Sequence, residues 1–177
     1  MIEKITTLIE KSIIEEKVKE LAKQIEKDYE GKDIFFVCIL KGGVIFMVDL
    51  ARHISKNVFI NFMDVSSYGT LTDNNNNDLK ILMDLDEPIS GEHVIIVEDI
   101  VDSGRTLNML RELLLSRNPA SIKICTLLDK PDRRVVEVPI DYTGFQIPDE
   151  FVVGYGLDYA QKYRNLDYIG VISFEEE

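Results

Sequence analysis

Residues 93–107 read HVIIVEDIVDSGRTL. A strand-length apolar run leads into two adjacent carboxylates, Glu98 and Asp99. Two apolar residues separate them from Asp102, then come the small residues Ser103 and Gly104, and Arg105 and Thr106 open a helix. Ligands of open α/β sheets bind outside the carboxyl ends of the strands. A turn of small residues at a helix N-terminus can aim several backbone N–H groups at one phosphate, with Ser and Thr hydroxyls as further donors. Paired acids just ahead of such a turn suit the vicinal hydroxyls of a sugar or a hard, oxygen-loving cation. The plainer alternatives are a solvated acidic turn for EDIVD and helix N-capping for Asp102.

The flanking sequence repeats the strand–helix alternation. Residues 106–116 (TLNMLRELLLS) carry leucines at helical spacing, and Ser121 to Leu128 is the next apolar strand. Upstream, 34–40 (IFFVCIL) is a continuous apolar run, followed by KGG and a helix over Val44 to Ile54, and Val58 to Val65 is a further strand. Runs without polar alternation suit strands covered on both faces, as in a parallel sheet. Ser12 to Tyr29 reads as an amphipathic helix, with Ile14, Val18, Leu21 and Ile25 on one face and a capping box from Ser12 to Glu15. The expected class is α/β with a central, mainly parallel sheet flanked by helices.

Two regions break this pattern. Residues 66–78 (SSYGTLTDNNNND) have almost no apolar content and read as a long loop; such loops are often lids, the alternative being a dispensable surface insertion. The C-terminal third changes character. Val135 to Ile147 alternates like exposed or antiparallel strands, and Phe151 to Gly156 and Tyr168 to Ser173 are short strands, too small for a second domain and read as a cap on the main sheet.

The chain of 177 residues carries 20 Lys+Arg against 32 Asp+Glu, a net charge of −12. One domain of ordinary size is expected, with a core that needs no disulfide or metal staple. The acidic balance argues against a nucleic-acid scaffold or a membrane-surface protein, and no basic cluster exceeds Arg133-Arg134. It argues less against a small anionic substrate that brings its own cation. Cys38 and Cys125 lie in apolar runs and read as buried free thiols of a reducing compartment. No secretory signal or apolar run of membrane-spanning length is seen, so a cytosolic protein is expected. His53 and His93 are far from each other and from the acids, which leaves a His-based zinc site or a Ser-His-Asp hydrolase without support. No GxxxxGK[ST] loop exists, and Gly154-Tyr155-Gly156 is only a fragment of GxGxxG. An acidic strand end also suits a phospho-acceptor receiver domain, but the SGRT loop after it does not.

VIIVEDIVDSGRTL resembles the diphosphoribosyl-binding signature of type I phosphoribosyltransferases, a hydrophobic strand, two acids, then D-[ST]-G-x-T. LKGG at 40–43 resembles the family's pyrophosphate-binding loop, SSYG at 66–69 the start of its mobile catalytic loop, and IPDEFVVGYGLDYAQKYRNL at 147–166 its purine-binding hood. Together they resemble hypoxanthine-guanine phosphoribosyltransferases of the bacterial type over nearly the whole chain. The resemblance implies a single type I phosphoribosyltransferase domain, with a core over about 10–130, a hood mainly over 131–177 with the N-terminal segment, and a mobile loop over 66–79.

The implied reaction is Mg²⁺-dependent purine salvage. A phosphoribosyl group passes from 5-phosphoribosyl 1-diphosphate to hypoxanthine or guanine, giving IMP or GMP and diphosphate. By resemblance, Asp102 is the acid–base group near nitrogen 7 of the purine. Glu98 and Asp99 hold the ribose hydroxyls and Mg²⁺, with Asp158 a further metal-linked carboxylate, and Ser103, Gly104, Arg105 and Thr106 cradle the 5′-phosphate. Lys41, Gly42 and Arg164 serve the diphosphate, and the Leu40–Lys41 peptide can be cis in this family. Ser67 and Tyr68 belong to the mobile loop. Lys130 reads the 6-oxo group, Phe151 stacks on the base, Val152 reads its 2-position edge, and Asp158 borders it. Some family members carry this lysine nearer the GF of the following strand, where this sequence has Pro139. A homodimer or homotetramer is implied. A xanthine-preferring enzyme and a nucleotide-sensing, RNA-binding regulator on the same fold stay as alternatives, although the net charge counts against the second.

Overall fold

The computed structural model describes residues 2–68 and 78–175, with Ser67, Tyr68 and Asp78 described by their backbone alone. The elements in chain order are β1 (Ile2–Ile9), α1 (Lys11–Asp28), β2 (Ile34–Ile39), α2 (Val44–Arg52), β3 (Val58–Tyr68), β4 (Asp78–Met83), β5 (His93–Val101), α3 (Arg105–Leu115), β6 (Ser121–Asp129), β7 (Tyr142–Gln146), β8 (Val152–Val153) and β9 (Ile169–Glu175). A six-stranded sheet runs in the order β4-β3-β2-β5-β6-β7, and a three-stranded sheet runs β1-β9-β8. In the larger sheet β3, β2, β5, β6 and β7 are parallel, and β4 is an antiparallel edge.

The uninterrupted apolar runs are strands buried on both faces. All of β2 is buried, and its residues alternate between two cores. Ile34, Phe36 and Cys38 pack with α1 and α2, whereas Phe35, Val37 and Ile39 pack with Leu107, Leu110 and Leu114 of α3. β5 divides in the same way, with Ile95 and Val97 on one side and Val94 and Ile96 on the other. A fully buried side chain of this kind stabilises by ~1.5–3 kcal/mol. Both cysteines are free and buried, and burial, helped by Glu98 and Asp99, pushes the Cys38 thiol up to about 12.

The structure corrects several expectations. α1 begins at Lys11 with Glu10 as its N-cap, and Ile13 and Ile14 N–H groups bond the Glu10 carbonyl. Ser12 therefore lies inside the first turn, and the expected capping box does not form. Its buried face is Ile14, Val18, Leu21, Ala22 and Ile25, as the spacing implies. Residues 142–146, expected among the cap's exposed or antiparallel strands, pair parallel with β6 and close one edge of the large sheet. An edge strand with one half-open face alternates whatever its direction. The ends of the long polar segment are also strand: Ser66 pairs with Lys80, Ser67 with Leu79 and Tyr68 with Asp78. The rest of that expected loop, 69–77, lies outside the described residues. Among the described residues no helix is long and apolar enough to cross a membrane.

The topology turns at one place. From β2 the chain winds outward through β3 to β4, and from β5 outward through β6 to β7. β2 and β5 are neighbours, so the loops leaving their carboxyl ends diverge and leave a crevice between them. The LKGG loop leaves β2 there, and the acids and SGRT loop leave β5.

Candidate functional site

β5 does not stop at Val97, as its apolar run suggests. It continues to Val101 because pairing with β6 persists through Glu98↔Thr126 and Ile100↔Leu128, while pairing with β2 ends at Cys38↔Val97. The acids thus stand on a strand held on one side and open on the other. Successive strand residues face opposite ways. Glu98 lines a cleft of about 150 Å³ with Ser103, Gly104 and Thr106. Asp99 lines a larger one of about 540 Å³ with Lys130, Phe151, Val152 and Asp158. Burial, and then the Asp99 charge, raises Glu98 well above the usual carboxylate range. Burial likewise pushes Asp99 up to about 6, against the opposing pull of the Ile100 N–H and Arg164.

The smaller cleft has the form of an anion cradle. Gly104 is the N-cap of α3 with φ +79 and has no side chain to cap the helix, so the first-turn N–H groups beyond that of Arg105 are left for another acceptor. Only glycine fits, since a Cβ would lie 2.4 Å from the Val136 carbonyl oxygen. Ser103 Oγ accepts a long bond of 3.4 Å from Arg105 N, and Arg105 itself is exposed.

In the larger cleft Lys130 is 8% exposed, and its Nζ lies 3.7 Å from Asp149 Oδ1. Phe151 is 55% exposed and meets Tyr159 edge-on at 5.8 Å, whereas Val152 is buried in β8. Asp102 lines both clefts. Arg133 Nε donates to Asp102 Oδ1 at 3.0 Å, and its Nη1 to Asp149 Oδ2 at 3.3 Å. Arg133 and Asp149 were not among the residues expected in the site. The one local signal was the dibasic pair three residues after Lys130, which in sequence reads as surface charge.

The third wall joins the loop after β2 to the hood. The Leu40–Lys41 peptide bond is cis, and Lys41 is exposed. Gly42 is pressed so closely on Asp99 that a Cβ would lie 1.5 Å from Oδ2. Arg164 donates to the Gly156 carbonyl at 2.8 Å and pairs with Asp158 Oδ1 at 2.7 Å. Asp158 Oδ2 accepts from the Gln161 N–H at 2.8 Å, closing a turn, so no helix follows it. Both oxygens of Asp158 are thereby engaged, and among the described residues no three acids or histidines form a metal-binding group. The side chains of Ser67 and Tyr68 lie outside the described residues. A separate cleft of about 370 Å³ between α1, α2 and Tyr155 holds none of the loops at the strand ends.

A switch-point crevice with a phosphate-type cradle beside a half-apolar slot is the arrangement of a type I phosphoribosyltransferase, and residues 5–160 match the family model described as the phosphoribosyl transferase domain. A hypoxanthine phosphoribosyltransferase of Haemophilus influenzae is 52% identical over 176 residues, 97% of each chain. One of Escherichia coli is 49% identical over 175 residues, 98% of each chain. A crystal structure of a hypoxanthine-guanine phosphoribosyltransferase from Bacillus anthracis has a TM-score of 0.91 at 48% identity, covering 98% of this chain and 100% of that one. The chain belongs to the hypoxanthine-guanine phosphoribosyltransferase family.

Proposed function

We propose that the chain moves the phosphoribosyl group of 5-phosphoribosyl 1-diphosphate onto hypoxanthine or guanine, yielding IMP or GMP and diphosphate. The observation that supports this most is that one carboxylate, Asp102, lines both the cradle and the base slot. A group there reaches a sugar whose phosphate is in one cleft and a base in the other. Asp102 takes the proton from nitrogen 7 as nitrogen 9 forms its bond to ribose carbon 1, and the diphosphate departs with the electrons of the broken C–O bond. Carbon 1 gains cationic character, so alignment and charge placement dominate. The entering base replaces Arg133 at the Asp102 carboxylate.

Ser103, Gly104, Arg105 and Thr106 hold the 5′-phosphate, and Glu98 and Asp99 the ribose hydroxyls. Lys41, Gly42 and Arg164 face the diphosphate. Lys130 donates to the 6-oxo group, Phe151 covers the base, Val152 reads its 2-position edge, and Asp158 keeps Arg164 in place. A buried donor opposite the 6-position disfavours adenine, whose 6-amino group is itself a donor. Ser67 and Tyr68, at the carboxyl end of β3, serve the reacting centre by helping to exclude water from it.

The acid pair fits Mg²⁺: two adjacent carboxylates with raised proton affinity gain most from a cation, and this ion needs only one or two protein carboxylates beside substrate oxygens and water. Glu98 and Asp99 would hold it, with Asp158 nearby. Bound there, it neutralises charge on the diphosphate.

We further propose one domain, with a core over about 10–130 that β7 joins, and a hood over the rest of 131–177 with the N-terminal segment. It works in the cytoplasm as a homodimer or homotetramer on small molecules and not on nucleic acid. The test is kcat/KM for hypoxanthine, guanine, xanthine and adenine with 5-phosphoribosyl 1-diphosphate and Mg²⁺. No turnover of any 6-oxopurine overturns the reading. Xanthine turned over fastest supports the xanthine-preferring alternative, and salt-sensitive RNA binding without turnover supports a regulator.

A further inference from the structure

Three consecutive carbonyls of the Asp102 loop are all taken by one other segment. Lys130 N donates to Val101 O at 2.9 Å, and Val135 N and Val136 N both donate to Ser103 O at 3.0 Å. Between them, Asp102 O accepts from the Arg134 side chain, Nε to O 3.2 Å. Of these donors Arg134 is the one side chain. Its Nη2 bonds Asp129 Oδ1, and the pair is largely buried, with side chains 11% and 9% exposed. A buried ion pair is weak evidence for stability, because desolvation offsets most of the attraction. Its position is more telling. Asp129 ends β6 immediately before Lys130, so Arg134 ties the base-side strand to the main chain of Asp102. It also forms part of the wall behind Gly104, where a Cβ would lie 2.9 Å from Arg134 Cδ.

We propose that Arg134 is a positioning residue, whose fork fixes the Asp102 main chain against Asp129 and so sets where the Asp102 carboxylate and the cradle N–H groups point. Consecutive arginines thus hold opposite ends of one residue: Arg133 the Asp102 carboxylate at the open cleft, Arg134 its carbonyl from behind. The function rests on the proposed acid–base role of Asp102; the positioning does not. Lysine keeps the charge but has no planar fork to span two acceptors. Displacement of a reacting group by about 1 Å can cost on the order of 100-fold.

The test compares wild type, Arg134→Lys, and Arg134→Ala with and without millimolar guanidinium. Two readouts are kcat and KM for hypoxanthine, and amide hydrogen exchange at Ser103 to Thr106. Expected for Arg134→Lys are a kcat lower by roughly 10–100-fold with KM little changed, and faster exchange at those amides in a folded protein. Guanidinium should slow the exchange in Arg134→Ala and restore part of its kcat. Unchanged exchange in both variants overturns the proposal, as does a lower Tm with wild-type kcat. Should wild type turn over no purine while exchange responds as expected, the positioning stands and the acid–base reading of Asp102 fails.

Discussion

Glu98 to Thr106 stand on the end of a central strand of the six-stranded sheet, on the turn after it and on the start of the next helix, whereas Asp149 to Arg164 stand on turns beside a two-residue strand. The first wall takes its geometry from pairing with β6 and from the main-chain grip of 130–136. The second uses residues with positive φ at Tyr155, Ala160, Gln161 and Tyr163, held by the Arg164 contacts and by Glu3 of β1, which accepts from Tyr163 and Lys162. On the proposed reading, the sugar phosphate, common to every such substrate, meets the first wall, and the base, the part that differs, meets the wall made of turns.

Chelating Mg²⁺ should produce the largest effect, abolishing synthesis; full activity in chelator would remove the cation from the first wall. Asp102→Asn should come next, lowering kcat by about 10²–10⁴-fold, the usual share of acid–base catalysis. IMP binding should change much less, and an equal loss in both would take away its acid–base role. Lys130→Met tests the second wall. Losing a charged hydrogen bond worth about 1.5–3 kcal/mol should narrow the preference for hypoxanthine over adenine, compared as kcat/KM, by roughly 10–150-fold. Unchanged selectivity would place the 6-oxo reader elsewhere.

Gly104→Ala should raise KM for 5-phosphoribosyl 1-diphosphate and lower stability in urea by more than the ~1–2 kcal/mol of left-handed strain, because its Cβ also meets the Val136 carbonyl, with base selectivity untouched. A shift in selectivity would show that the walls are not independent. The smallest effect is expected at Glu3, held below the usual carboxylate range mainly by the Tyr163 hydroxyl and then by Lys162. A depressed carboxyl contributes stability above its unfolded pKa, about 4.3, and loses it as pH falls through the lower folded value. The Tm difference between wild type and Glu3→Gln should therefore persist at neutral pH and vanish in acid; a difference that grows in acid would refute it.

Legibility in the sequence followed contiguity. Glu98, Asp99, Asp102 and the SGRT turn could be read because strand end, turn and helix start are consecutive residues. β2 and β5 could be read because burial on both faces leaves uninterrupted apolar runs. Arg133 and Asp149 were missed because they meet across the cleft from separate loops, and a pair of arginines in sequence looks like surface charge. β4 was missed because DLKILM follows a polar asparagine run and is exposed over Ile81 to Met83. β7 was placed in the cap because alternation reports exposure and not strand direction.

The sequence by itself determined the α/β class, the two-sided burial of the central strands and the phosphate-type turn after β5, since each follows from side-chain period and local backbone preference. Only the tertiary structure decided that β2 lies beside β5, which brings Gly42 against Asp99, and that residues 130–136 occupy the carbonyls of Val101, Asp102 and Ser103. Hydrogen bonds between distant backbone segments depend on which strands become neighbours, and backbone donors and acceptors are the same in every residue, so they leave no mark in the local pattern of side chains.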